Sequence, residues 1–161
     1  MVEAPLRELY LQPGELQLVS EPAVIRTILG SCVGITFRHQ RLGLGGMCHP
    51  MLPRMATNRA ASGTEPKTRF VDFAIEEMGR QLDALGAIRK EVEIKLFGGG
   101  DVLPVNHATT RATVGRLNCE SAIETLAAEG FEIVASSLGG NCGINIRFST
   151  VTGEVLLRRL G

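Results

Sequence analysis

Residues 14–37 open with an alternation, Leu16 and Leu18 against Glu15 and Gln17, followed by AVIRTIL and, past a Gly-Ser-Cys break, VGITF. Period-two alternation and β-branched runs bounded by glycine predict short strands joined by tight turns. The next clear pattern has a different period. Val71, Ala74, Ile75, Met78, Leu82 and Leu85 recur at the spacing of one helical face, and Gly86 stands where a left-handed cap ends such a helix. That stripe accounts for Met78 as a core residue without any cofactor. Val92, Ile94 and Leu96 then alternate with Glu91, Glu93 and Lys95, predicting a strand with one wet face that runs into Phe97 and the glycines at 98–100.

A second helix is predicted from about Asn118, read as its N-cap, burying Ala122, Ile123 and Leu126 and stopping at Gly130. Residues 131–137 read as a strand. Ile144, Ile146 and Phe148 alternate with Asn145, Arg147 and Ser149, and a Thr-Gly turn at 152–153 leads into residues 154–160 as a closing hairpin. Strands outnumber the two helices and do not alternate regularly with them. The fold class expected is therefore α+β, a layered sandwich with a mostly antiparallel or mixed β-sheet and helices packed on the sheet faces. Residues 54–67 are small and polar with no apolar period, which predicts a surface loop. A chain of 161 residues suits one domain over 1–161, with 1–13 expected as a less ordered N-terminal segment.

Charge narrows the partners. Seventeen basic side chains balance seventeen acidic ones, so net charge favours neither nucleic acid nor an anionic membrane. No apolar run approaches the roughly 18 residues of a membrane span, and the N-terminus lacks a basic segment leading into an apolar stretch. A cytoplasmic protein is expected, and in that reducing compartment Cys32, Cys48, Cys119 and Cys142 are expected as thiols.

The densest set of reactive side chains is Thr27, Ser31, Cys32, Cys48 and His49, on glycine-flanked turns or strand ends. A thiol needs a base or a positive neighbour to react at neutral pH, because its free pKa is about 8.5. His49, seventeen positions after Cys32, can be returned to it by a strand, a turn and a second strand. Spacing alone leaves open a buried packing cysteine and a backbone-satisfied histidine. Cys48, Cys119 and Cys142 read as packing residues, with Cys48 on the face opposite His49 and Cys119 at a helix start. His39 and His107 lie in polar contexts and are expected to be exposed. A metal could draw on Cys32, Cys48, His49, His107 and Cys142. The chain has no C-x-x-C or H-x-x-x-H pair, however, and glycines 98–100 lack the G-x-G-x-x-G register, so neither metal nor cofactor is expected.

Residues 27–54, TILGSCVGITFRHQRLGLGGMCHPMLPR, resemble the signature of the CheD family, bacterial chemotaxis proteins that deamidate glutamine side chains on chemoreceptors. The likeness continues through RFVDFAIEEMGRQLDALGA, KLFGGGDVL, VGRLNCESAIETLAAEGFEIVASSLGG and GINIRFSTVTGEVLLRRL. It implies Cys32 as nucleophile, His49 as its base and Thr27 as the third site residue, with backbone N–H groups about Gly30 and Ser31 stabilising an oxyanion. It also implies methyl-accepting chemotaxis receptors as substrates, a CheC-like phosphatase as a further partner and methylesterase activity as a secondary reaction. The family is similar in turn to the catalytic domain of cytotoxic necrotizing factor toxins, a layered α+β fold with a Cys-His deamidating site.

Some positions depart from the family pattern. Thr27 stands five residues before Cys32, where some relatives have one residue more, and Cys48 replaces a small residue before the histidine. Ile144 stands where a basic residue is common, and the arginine of VGRLN comes one position early. Two other functions compete: a non-catalytic adaptor that binds receptors or a CheC-like phosphatase, with Cys32 as a packing residue, and a cysteine peptidase or acyltransferase with the same dyad.

Overall fold

The computed structural model describes residues 6–55, 63–102 and 112–161. Among these residues nine strands and two α-helices follow in order: β1 (Arg7–Tyr10), β2 (Leu16–Val19), β3 (Ala23–Leu29), β4 (Val33–His39), β5 (Leu44–Cys48), α1 (Val71–Ala84), β6 (Glu93–Gly98), α2 (Val114–Ala128), β7 (Glu132–Leu138), β8 (Ile144–Ser149) and β9 (Val155–Arg159). They form a four-stranded sheet in the order β1-β3-β8-β9 and a five-stranded sheet in the order β2-β5-β4-β6-β7. Each sheet is mixed. β1 runs parallel to β3 and β7 parallel to β6, while the other neighbours are antiparallel.

Strand alternation divides the core in two. Val33, Ile35, Phe37 and Cys48 face the helices, where they pack with Val71, Ala74, Ile75, Met78, Leu82, Ala122 and Leu126. Met47, on the other face of β5, joins Leu11, Ile25, Leu29, Phe97, Ile146 and Phe148 between the sheets. The order of layers is thus helices, five-stranded sheet, four-stranded sheet. This is the α+β sandwich the patterns predict, with both helices on one face of one sheet. β5 is glycine-rich for packing: a Cβ on Gly45 would stand 2.6 Å from Thr150 Cβ, a distance no real side chain tolerates.

Several expectations change: Ile123, predicted buried, and Leu85, at the end of the α1 stripe, are exposed, and Cys119 lies inside α2, not at its start. The segment at 1–13 carries β1 and the fully buried Leu11, because pairing with β3 satisfies its backbone. α2 begins a turn before Asn118, and its cap is Thr113, whose Oγ1 accepts the Arg116 N–H at 3.2 Å. His39 is buried, not exposed: Nδ1 accepts the Leu42 N–H at 3.2 Å and Nε2 lies 3.0 Å from Glu91 Oε2. Of the predicted 54–67 loop, Lys67 already belongs to a 3-10 turn over Lys67–Arg69, and Arg69 is buried with Nη1 donating to the Glu65 and Pro66 carbonyls. His107 and residues 56–62 lie outside the described residues.

Candidate active site

Cys32 sits in the three-residue turn between β3 and β4, and His49 directly follows β5. β4 and β5 pair with Ile35 opposite Cys48, and the ladder continues past the strand end, where the Val33 N–H donates to Pro50 O at 3.3 Å. That bond joins the residue after Cys32 to the residue after His49, so both side chains come to one end of the β4–β5 pair. Alternation turns Cys48 into the helix-side core and His49 to the face between the sheets, as expected. Cys32 packs on the inter-sheet cluster from its rim, half-buried.

Across the gap, on the other sheet, β3 aims Thr27 at the histidine. Thr27 Oγ1 lies 2.7 Å from His49 Nδ1 and donates its own hydrogen to Leu11 O at 2.8 Å. A hydroxyl has one hydrogen, so Oγ1 must accept from the ring, which puts the imidazole proton on Nδ1 and leaves the Nε2 lone pair free. The backbone of His49 is tied on both sides, its N–H donating to Glu15 O at 3.0 Å and its carbonyl accepting the Gly14 N–H at 2.7 Å. Burial lowers the His49 pKa to about 4, against the opposing influence of the Leu11 carbonyl and the Glu15 charge. The ring is therefore neutral at physiological pH. Burial likewise raises the Cys32 thiol above its ordinary value, partly offset by the residue's own backbone N–H. The Cys32 thiol and the His49 imidazole are thus both uncharged at rest.

The turn that carries Cys32 is fixed from behind. Gly30 O accepts the Gly100 N–H at 2.9 Å, Cys32 O accepts the Gly99 N–H at 2.8 Å, and Ser31 O accepts from Asn118 Nδ2 at 2.9 Å. The glycines at 98–100 therefore shape this turn. Gly98 has φ +95°, and a Cβ there would meet Cys32 O at 2.3 Å. In trans peptides N–H and C=O point opposite ways, so the N–H groups of Ser31 and Cys32 turn away from these partners.

Thr27 and His49 are thus in contact, and Cys32 lies at the same end of the β4–β5 pair, in the turn with Gly30 and Ser31. His39 stays apart from this cluster, beside Glu91. Cys48 is in the helix-side core and Cys119 packs at its edge, and among the described residues no three His, Cys, Asp or Glu side chains group as a metal site. Asn118 is the residue that sequence reasoning misses, because a lone asparagine ahead of an apolar helical run has the signature of an N-cap. Its signal was a polar residue on the same helical face as the core residues Ala122 and Leu126.

Residues 51–159 match the family model described as CheD chemotactic sensory transduction. A probable chemoreceptor glutamine deamidase CheD 2 of Geobacter sulfurreducens is 37% identical over 155 residues, covering 96% of this chain and 91% of that protein. A probable chemoreceptor glutamine deamidase CheD of Rhodospirillum rubrum is 40% identical, covering 94% of this chain and 81% of its own. The corresponding protein of Maridesulfovibrio salexigens is 32% identical over 98% of this chain and 95% of its own. The crystal structure of the hypothetical protein YfiH of Bacillus licheniformis shares the fold, with a TM-score of 0.50 and 13% identity over 76% of this chain, which spans about half (49%) of that structure. With a family model over most of its length and relatives aligned nearly end to end, the chain belongs to the CheD family.

Proposed function

We propose that this chain is a protein-glutamine deamidase that converts glutamine side chains of methyl-accepting chemotaxis receptors to glutamate. The observation that carries the reading is the 2.7 Å contact of Thr27 Oγ1 with His49 Nδ1, which leaves Nε2 as a free base at the end of the sheet that holds Cys32. The names of the aligned relatives supply the substrate class.

His49 Nε2 takes the Cys32 proton as sulfur attacks the carboxamide carbon, and the carbonyl π pair moves onto oxygen. The N–H groups of Ser31 and Cys32 bind that oxyanion, an interaction worth about 3 kcal/mol per donor in well-characterised enzymes. Imidazolium passes its proton to the amide nitrogen, the C–N bond breaks, ammonia leaves and a thioester remains. His49 then takes a proton from water, hydroxide adds to the thioester, the C–S bond breaks and the proton returns to sulfur. A glutamyl methyl ester reacts by the same path with methanol as leaving group, which makes methylesterase activity the secondary reaction. The reading includes a cytoplasmic location and a CheC-like phosphatase as second partner, both implied by the family resemblance.

The test is peptide-level mass spectrometry of a chemoreceptor cytoplasmic fragment incubated with wild type, Cys32→Ala and His49→Ala. Glutamine-to-glutamate conversion by wild type and by neither variant is the expected result. A fragment that binds wild type and stays unconverted would favour an adaptor, and a cleaved fragment would favour a peptidase.

A further inference from the structure

Of the three carbonyls that fix the Cys32 turn, the outer two are held by backbone N–H groups and only the middle one, Ser31 O, by a side chain. That side chain has a second contact. Asn118 Nδ2 also donates to Met51 O at 3.0 Å, two residues beyond His49. One amide group therefore joins the turn bearing Cys32 to the segment bearing His49. Asn118 is fully buried in α2, and Gly115 anchors the helix there, since a Cβ on Gly115 would stand 2.4 Å from Gly100 O.

Asn118 Oδ1 is buried with no hydrogen-bond partner among the described residues. An orphan acceptor in a core costs stability, and its retention calls for an explanation of what the group's other end does. The two donated bonds supply it. Ser31 O is the acceptor half of the Ser31–Cys32 peptide, so whatever holds that oxygen sets the direction of the Cys32 N–H on the opposite edge.

We propose that Asn118 is a positioning residue of this site, holding the Ser31–Cys32 peptide in the rotation that presents the Cys32 N–H to the oxyanion. The role rests on the deamidase reading and adds to it a residue that touches neither substrate nor reacting atoms.

Two reactions of the same thiol separate this role from a general structural one. Deamidation passes through a tetrahedral oxyanion. Alkylation by iodoacetamide forms a C–S bond as the C–I bond breaks, and iodide leaves without any oxyanion. In Asn118→Ala, kcat for deamidation of a chemoreceptor cytoplasmic fragment is expected to fall about 10- to 100-fold, part of the roughly 100- to 1000-fold lost when an oxyanion donor is removed outright. KM and the Cys32 alkylation rate should stay near wild type. Asn118→Asp covers the case in which the alanine variant does not fold: a buried carboxyl donates only while protonated, so its relative activity should fall as pH rises, opposite to wild type. Unchanged kcat in both variants overturns the role, and so does a kcat loss matched by an equal loss of alkylation. Absence of deamidation by wild type overturns the deamidase reading together with this role, whereas an active wild type with unaffected variants overturns the role alone.

Discussion

Thr27 on β3 and His49 just past β5 meet across two sheets, hydroxyl to ring nitrogen at 2.7 Å, although β3 and β5 belong to different sheets. The hydroxyl's own hydrogen is committed to Leu11 O, so the contact acts in one direction, drawing the imidazole proton to Nδ1. Thr27→Val keeps the shape and removes the acceptor. It should lower kcat by about tenfold or more, a share of the roughly 100- to 10,000-fold that a positioned base contributes. It should also destabilise the fold by about 1–3 kcal/mol through the orphaned Leu11 carbonyl and Nδ1–H. Thr27→Ser should retain most activity. Steady-state kinetics and urea unfolding of the two variants check both effects.

Burial of His49 links stability to pH. Its folded pKa of about 4 lies below the ordinary 6.5, so the unfolded chain takes up the proton first. The stabilisation is fully present above about pH 6.5 and is lost as pH falls toward 4, reaching about 3 kcal/mol. Urea unfolding of wild type and His49→Gln between pH 7.5 and 4.5 should show a steeper acid loss for wild type. Equal slopes would mean that another group governs the acid limb.

Cys32 should behave as a thiol held above its usual pKa, not as a preformed thiolate. In the absence of substrate, its alkylation by iodoacetamide should climb steadily through pH 7 and 8 and continue past 9. A plateau reached below neutrality would instead indicate a resting thiolate–imidazolium pair. Following the modified peptide by mass spectrometry separates Cys32 from the other thiols.

Cys48 adjoins His49 in sequence and is separated from it by the thickness of a sheet. Fully buried, with its pKa driven far upward by desolvation, it should resist iodoacetamide in the folded protein and react only on unfolding. Cys48→Ala should keep kcat near wild type and cost about 1 kcal/mol for the cavity left in the helix-side core. A large loss of kcat in that variant would show that the thiol affects the chemistry.

Much of this was legible in the chain because alternation and helical periodicity are local. The strands at 92–97 and 144–149 and the opposite facing of Cys48 and His49 follow from residue parity, and the two helices from the 3.6-residue period. Thr27 at its shorter spacing still reaches His49, since β3 points alternate residues across the gap. What escaped depends on distant partners. His39 looked like a loop histidine until β4 paired with β6 and set Glu91 nearby. β1 needed β3 to exist, and Asn118 resembled a cap because the carbonyls it serves lie 87 and 67 residues away.

The division of the site between two sheets makes catalytic competence a gauge of how tightly the layers are clasped. Cys32 and His49 travel with one sheet and Thr27 with the other, and the space between is filled by side chains such as Leu29, Met47 and Ile146, with no backbone ladder across it. A slight parting of the layers breaks no strand pairing, yet it frees the imidazole to turn. On warming, such an enzyme falls silent while its spectrum of β-structure is still intact.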